Sequence, residues 1–210
     1  MNNLIGIVNY GIAGNIHSVK KAIEKAGGNT LVINTPTDFD LVDKVVIPGV
    51  GSFKDAMQEL SNDGFIEPLK IFNKPILGIC LGMQILAKIG YEYGETKGLG
   101  LIDAEVRLVQ CDDKVPHMGF NKINVVDSNE ILDGLDAKDF YFMHSYEMVN
   151  YTDIASLTKY GNHNFVSSVK KGNIYGVQFH PEKSRDSGLK LLSNCLVPQS
   201  YGVSLPQLQE

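Results

Sequence analysis

The sequence predicts an α/β protein with a mostly parallel central sheet flanked by helices and a second half rich in antiparallel strands. Short apolar runs alternate with helical periodicity up to about residue 100, a pattern typical of parallel sheets. One of these runs breaks at a tight glycine-flanked turn into a helix-like segment, in which Ile85, Leu86 and Ile89 have spacings that can share one helix face. Beyond residue 100, runs such as 104–109 and 122–126 alternate apolar and polar residues, as half-exposed antiparallel strands do.

The elements follow in order along the chain. Strands are predicted at residues 4–9, 31–34, 43–48 and 75–79, with a helix from about 16 to 26 and two helical pieces within 52–72 that are interrupted near 62–64 and by Pro68. Residues 90–100 hold four glycines and are predicted as a loop. Further strands are predicted at 140–146, 155–158, 165–169 and 173–179, and a last helix at about 187–196. We expect residues 1–197 to form one domain and 198–210 to be a loose tail.

Composition excludes several classes of protein. Hydrophobic residues make up 43% of the chain and charged residues 20%, which is ordinary for a globular protein. The net charge is −5 and no dense run of Lys or Arg occurs, which argues against a general binder of nucleic acid or membrane surfaces. No secretory signal pattern is present, and no apolar run approaches the roughly 20 residues of a transmembrane helix.

The three cysteines, Cys80, Cys111 and Cys195, are widely spaced. They form neither a zinc motif nor a disulfide framework, so we expect a reducing, cytoplasmic environment. No set of His, Cys, Asp or Glu has the spacing of metal ligands, and we expect no metal. The first glycine-bearing turn does not match G-x-G-x-x-G, so no dinucleotide cofactor is expected.

The segment Gly78-Ile79-Cys80-Leu81-Gly82 has the layout of a nucleophile elbow. Such an elbow is a sharp strand-to-helix turn that lifts one reactive side chain to the edge of an α/β sheet. The flanking glycines let the chain turn tightly. At the helix N-terminus a thiolate of Cys80 would be stabilised, and the N–H of Leu81 could hold an oxyanion. The alternative is a buried, inert cysteine, but the paired glycines favour the nucleophile.

Two other segments complete a possible catalytic site. Pro48-Gly49-Val50-Gly51 follows a buried strand, and a backbone N–H near Val50 is a candidate second oxyanion donor rather than part of a plain turn. His180-Pro181-Glu182 ends the strand at 173–179. If that segment stays extended, His180 and Glu182 share one face, so His180 could take the thiol proton while Glu182 orients it. Alternatively, His180 only ends the strand and Glu182 is solvated.

The remaining histidines are weaker candidates. His17 is predicted on the surface of the first helix, His117 in a turn and His163 in a polar loop. His144 precedes Ser145-Tyr146 and could border the site, but the sequence does not orient it.

These motifs, in this order and separation, resemble those of class I, triad-type glutamine amidotransferases. Further segments are similar to the glutaminase subunits of imidazole glycerol phosphate synthases, and the resemblance runs from Leu4 to about Leu196. The segments are Tyr10-Gly11, Gly14-Asn15, Ser18-Val19, Val115-Pro116-His117-Met118-Gly119, Phe142-Met143-His144-Ser145-Tyr146 and Gln178-Phe179-His180-Pro181-Glu182-Lys183-Ser184.

The resemblance implies hydrolysis of L-glutamine through a γ-glutamyl thioester on Cys80, with His180 as base and then acid and Glu182 orienting it. It places the substrate near four residues: Gly51, Gln84, Ser145 and Tyr146. It also implies a heterodimer with a separate (β/α)₈-barrel cyclase subunit. That subunit would use the ammonia to make imidazole glycerol phosphate and an aminoimidazole carboxamide ribotide in histidine biosynthesis. No cofactor is implied.

Two departures from the family pattern bear on the ammonia acceptor. The turn at residues 10–15 is one residue longer than is usual, and Phe120 stands where the family has Trp. A paralogue that supplies ammonia for amidation of a surface sugar is therefore an alternative. A thiol hydrolase or protease is disfavoured, because His-x-Glu on a late strand with a Pro-Gly-x-Gly turn is the amidotransferase arrangement. A non-catalytic binding module is disfavoured because no triad member is missing.

Overall fold

A central eight-stranded sheet organises the molecule. The computed structural model describes residues 3–11 and 15–196. The strands in chain order are β1 Leu4–Val8, β2 Asn29–Ile33, β3 Lys44–Ile47, β4 Ile76–Ile79, β5 Ile89–Gly90, β6 Thr96–Lys97, β7 Glu105–Leu108, β8 His117–Lys122, β9 Asn124–Val125, β10 Asp139–His144, β11 Tyr146–Val149, β12 Ile154–Tyr160, β13 His163–Lys171 and β14 Ile174–Val177. The helices are α1 Ile16–Lys25, α2 Phe53–Asn62, α3 Ile66–Ile71, α4 Leu81–Gln84 and α5 Arg185–Leu196.

The central sheet has the order β2-β1-β3-β4-β14-β13-β12-β9. The first five strands in this order are parallel, and the last three join by antiparallel pairing. An antiparallel ribbon of β8 and β10 and a four-stranded sheet of β11-β7-β5-β6 lie beside it. The predicted fold class, a parallel α/β half followed by antiparallel strands, is therefore confirmed.

The inner parallel strands, β1, β3, β4 and β14, are largely buried on both faces, because helices cover each side. Alternate residues of β3 point to opposite faces. Val45 and Ile47 join a core layer with α2 and α3, whereas Val46 joins the layer formed with α1 and α5. This explains why the strands of the first half read as continuous apolar runs.

The helix after the elbow is shorter than its apolar pattern predicts. Helix α4 ends at Gln84, and Ile89, predicted to share its face, begins β5 instead. A longer helix would use the carbonyls of Ile85 and Leu86. Here these carbonyls accept hydrogen bonds from the N–H groups of Leu99 and Ile102, respectively. Residues 90–100, predicted as a loop, contribute part of β5 and all of β6 to this small sheet.

Four other predictions differ from the structure. His163, predicted in a polar loop, begins β13. The single strand predicted at 140–146 is two strands, because β10 pairs with β8 whereas β11 pairs with β7. Pro68 does not interrupt a helix but lies in the first turn of α3, where its missing N–H is not needed. His117 is not in a turn but begins β8 and is buried. The predicted tail at 198–210 lies outside the described residues, as does part of the 10–15 turn.

Candidate active site

The elbow cysteine occupies a backbone conformation that few non-glycine residues adopt. Cys80 has φ 53° and ψ −109° between β4 and α4, which is the strained geometry that directs a side chain out of a strand-to-helix turn. The two flanking glycines are sterically required. A Cβ at Gly82 would lie 1.8 Å from the Ile47 carbonyl oxygen, and one at Gly78 would lie 2.5 Å from the Gly82 oxygen. The turn is therefore packed directly against the end of β3.

Parallel pairing of β4 with β14 brings the histidine to the cysteine. Ile79 is in register with Val177, and the N–H of Cys80 donates to the Val177 carbonyl at 2.8 Å. The carboxyl ends of neighbouring parallel strands lie at one edge of the sheet, so Cys80 and His180 meet there although 100 positions separate them. The N–H of His180 donates to Tyr141 at 2.8 Å, which fixes the histidine backbone against β10.

Glu182 reaches His180 by a different route from the predicted extended chain. Pro181 begins a 3₁₀ turn, Pro181–Lys183, where its missing N–H is not needed. The turn brings Oε1 of Glu182 to 2.8 Å from Nδ1 of His180, and both side chains are fully buried. Oε1 also accepts a hydrogen bond from Nδ2 of Asn15. This oxygen is therefore held from two sides.

The electrostatics of the pair favour a charged imidazole. Burial lowers the pKa of His180, but the neighbouring Cys80 and Glu182 outweigh burial and raise this pKa above its ordinary value. Nδ1 faces Glu182, and the buried Nε2 has no hydrogen-bond partner among the described residues. Nε2 is therefore the nitrogen left to exchange protons with Cys80 and with a bound ligand.

A cavity of about 220 Å³ opens in front of Cys80. His180 and Glu182 lie behind the cysteine and do not line the cavity. All seven remaining candidates do, and they come from three separate segments of the chain: Val50, Gly51, Cys80, Leu81, Gln84, Ser145 and Tyr146. The structure therefore brings the predicted oxyanion and substrate residues together around Cys80.

The sequence reasoning missed Glu92, which also lines the cavity. Its Oε2 accepts a hydrogen bond from the N–H of Phe53 at 2.7 Å. Burial raises the pKa of this carboxyl, and the Phe53 N–H opposes the rise. Glu92 lies in a glycine-rich segment whose sequence predicts only a loop. That Glu92 reaches the cavity, beside the start of α2, is seen only in the structure.

The sequence predicts no role for Gln178, and it indicates only that His144 could border the site. Gln178 is fully buried, and its Nε2 donates to Sγ of Cys80 at 3.6 Å. His144 lines the cavity and contacts His117, with Nε2 of His144 3.2 Å from Nδ1 of His117. Burial lowers the pKa of His117 to about 4 and that of His144 to about 3, so the pair is neutral at pH 7.

The described residues hold neither a cluster of metal ligands nor a helix that could cross a membrane. No three His, Cys, Asp or Glu side chains within residues 3–11 and 15–196 are grouped as metal ligands. None of the helices in this part of the chain is long and apolar enough to cross a membrane.

Comparisons with known proteins relate the chain to amidotransferases. Residues 7–198 match the family Glutamine amidotransferase class-I. The chain is 45% identical over 198 residues to imidazole glycerol phosphate synthase subunit HisH 1 of Campylobacter jejuni strain RM1221, covering 91% of this chain and 98% of that protein. It is 43% identical to subunit HisH of Desulfitobacterium hafniense strain DCB-2 (91% and 92% covered) and to that of Aquifex aeolicus (90% and 93%).

Solved structures share the fold at low sequence identity. PurLQS from Thermotoga maritima superposes with a TM-score of 0.71 at 18% identity, covering 93% of this chain and 98% of that one. A glutamine amidotransferase from the same organism gives a TM-score of 0.61 at 18% identity, covering 87% and 77%.

Proposed function

The chain belongs to the class I glutamine amidotransferase family, and on this basis we propose that it is the glutaminase subunit of an imidazole glycerol phosphate synthase. It hydrolyses glutamine to glutamate and ammonia and passes the ammonia to a cyclase subunit in histidine biosynthesis. The observation that carries the proposal is the buried Cys80–His180–Glu182 arrangement at adjoining strand ends, beside a cavity lined by Gln84 and Glu92.

The cavity suits a free amino acid. Its volume of about 220 Å³ is below the roughly 300–1,000 Å³ of pockets for drug-sized ligands. The carboxylate of Glu92 can pair with an α-ammonium group, and that charge would keep Glu92 ionised despite its burial. Both N–H bonds of the Gln84 amide are used, on the Tyr146 carbonyl and on Gln178, so its Oε1 remains to accept from the ligand.

Catalysis proceeds by nucleophilic attack of Cys80 on the side-chain amide carbon of glutamine. His180 takes the thiol proton, and the backbone N–H groups of Val50 and Leu81 hold the oxyanion of the tetrahedral intermediate. The imidazolium gives this proton to the amide nitrogen, and the C–N bond breaks. Ammonia departs, and a γ-glutamyl thioester remains on Cys80. His180 then deprotonates a water molecule that attacks the thioester; the C–S bond breaks, glutamate is released, and the imidazolium returns the proton to the Cys80 sulfur. Glu182 holds the imidazole in position throughout.

The β8–β10 ribbon is the proposed surface for the barrel cyclase. Met118 is in register with Met143, and Phe120 with Tyr141, so these four side chains share one face of the ribbon. Met143 lines the cavity, while Met118 is 60% and Phe120 44% exposed. The ribbon thus carries an apolar face from the cavity to the surface, where a partner that receives ammonia would lie. Phe120 does not line the cavity, so its departure from Trp bears on this contact.

Glutamate release tests the proposal. The chain is assayed alone, then with the host's barrel cyclase, and then with the cyclase and its ribonucleotide substrate. Cys80→Ala serves as the inactive control. Strong stimulation in the full mixture supports the histidine-pathway subunit. A rate of glutamate release that is the same with and without the cyclase would refute the histidine-pathway assignment. The ammonia acceptor would then be another molecule, and amidation of a sugar would be tested next.

A further inference from the structure

We propose that Gln178 is a further catalytic residue, which donates a hydrogen bond to Sγ of Cys80 and stabilises its thiolate. The inference rests on the proposed function only in taking Cys80 as the nucleophile. Gln178 follows β14 two positions before His180, and its side chain is fully buried. Its Nε2 lies 3.6 Å from Sγ of Cys80, and its Oε1 lies 3.0 Å from Nε2 of Gln84.

The orientation of the Gln178 amide follows from its neighbours. An amide can be turned end for end, so the direction of its dipole must be fixed by groups that can act in one sense only. The Tyr146 carbonyl is such a group, because it can only accept. It lies 2.9 Å from Nε2 of Gln84, so this end of Gln84 must be the nitrogen.

The same nitrogen of Gln84 faces Gln178, which must therefore present its oxygen there. The opposite end of the Gln178 amide, the N–H₂ group, is then directed at the sulfur. The carbonyl of Tyr146 is itself held by Nδ1 of His144 at 2.9 Å. A neutral His144 donates through Nδ1, which agrees with its lowered pKa. No rotation of a single amide in this chain of hydrogen bonds can reverse the donor at Cys80 without leaving a buried group unpaired.

The two neighbours of the sulfur distinguish its two protonation states. In the thiol form, Sγ of Cys80 can donate weakly to the Met143 carbonyl, which lies 3.8 Å away. The thiolate has no proton for that carbonyl, but it gains from the N–H of Gln178. A hydrogen bond to the charged form stabilises that form, and this one acts in a buried site where it is least screened. Gln178 thus complements His180, which accepts the proton that the sulfur loses.

Alkylation by iodoacetamide measures the thiolate without requiring glutamine. All variants carry Cys111→Ser, because Cys111 is partly exposed, whereas Cys195 is buried and does not line the cavity through which a reagent reaches Cys80. The rate of Cys80 modification is followed by intact mass across pH. In Gln178→Met, which keeps the length of the side chain but has no N–H, we expect the midpoint of the rate–pH profile to rise by about one unit. That shift corresponds to roughly tenfold slower modification below the midpoint.

Two further variants make the outcome decisive. Gln58→Met, on the exposed face of α2, should leave the midpoint unchanged. Gln178→Glu keeps the shape of the residue but places a carboxylate beside the sulfur, so its midpoint should rise at least as far; it decides the question if Gln178→Met does not fold. An unchanged midpoint in the folded variant, even with a lowered melting temperature, would assign Gln178 a structural role and overturn the proposal. Failure of the chain to hydrolyse glutamine, with the midpoint shifts present, would count against the proposed function alone.

Discussion

Replacing Gly82 by alanine tests whether the packing of the elbow sets the geometry of catalysis. The new Cβ would lie 1.8 Å from the Ile47 carbonyl oxygen, so α4 and the end of β3 must separate by about 1.5 Å to reach ordinary contact. Ile47 leads directly into the turn that carries Val50, and Gly82 follows Leu81. The substitution therefore moves the two proposed oxyanion donors apart. A misplacement of about 1 Å can cost about 100-fold in rate, so we expect kcat/KM for glutamine to fall at least that far.

Gly28→Ala is the matched control. A Cβ there would lie 2.7 Å from the end of the Ile5 side chain and 2.8 Å from that of Ile23, far from the active edge of the sheet. Both substitutions overpack a core and should cost about 1–3 kcal/mol of stability. Glutamate release at several glutamine concentrations, with thermal melting of each variant, separates the two effects. A folded Gly82→Ala protein with activity comparable to Gly28→Ala would refute the packing argument.

Three further predictions concern the buried groups of the site. Cys80→Ala should abolish glutamate release, while the circular dichroism spectrum and the melting temperature stay close to those of the wild type. Glutamate release at the wild-type rate in this variant would show that Cys80 is not the nucleophile. Glu182→Gln should lower kcat less than His180→Ala, because it disturbs orientation and charge rather than proton transfer; equal and complete loss would mean that Glu182 does more than orient. In the wild type, the urea midpoint should fall as the pH is lowered from about 6.5 to 4. The cause is that His144 of the unfolded chain binds a proton in this range, whereas the buried His144 of the folded chain, with its pKa lowered to about 3, does not. His144→Gln should make this fall smaller. The exposed His17→Gln control should leave that slope unchanged, and an equal slope in His144→Gln would contradict the sign of the linkage.

The parts of the site that the sequence predicts are those set by local chain geometry. The glycines around Cys80 permit a tight turn that bulkier residues would block, and the apolar run before them has the length and content of a buried strand. Similarly, the apolar run before His180 and the proline after it place this histidine at the end of a strand. These constraints act within ten residues, so a single sequence contains them.

The parts that the sequence does not predict depend on contacts between distant segments. Helix α4 ends early because N–H groups within residues 98–102 donate to the carbonyls of residues 85–88, which a longer helix would use itself. No local sequence pattern predicts these hydrogen bonds. Glu92 reaches the cavity only through the small sheet that begins at β5. The orientation of Gln178 depends on the Tyr146 carbonyl, more than 30 positions away. Even Glu182 arrives by a 3₁₀ turn, although its pairing with His180 was expected from an extended chain.

Under the proposed mechanism, the pairing of β4 with β14 also governs when the Cys80 thiol becomes reactive. Gln178 lies 98 positions beyond Cys80, and His180 two further still. At typical synthesis rates of about 5–20 residues per second, the cysteine is translated roughly 5–20 s before either group exists. Throughout that interval it is an ordinary thiol without an activating base. The Cys80 thiol is therefore not activated while the chain is being synthesised. It becomes activated only when β14 pairs with β4 in the sheet.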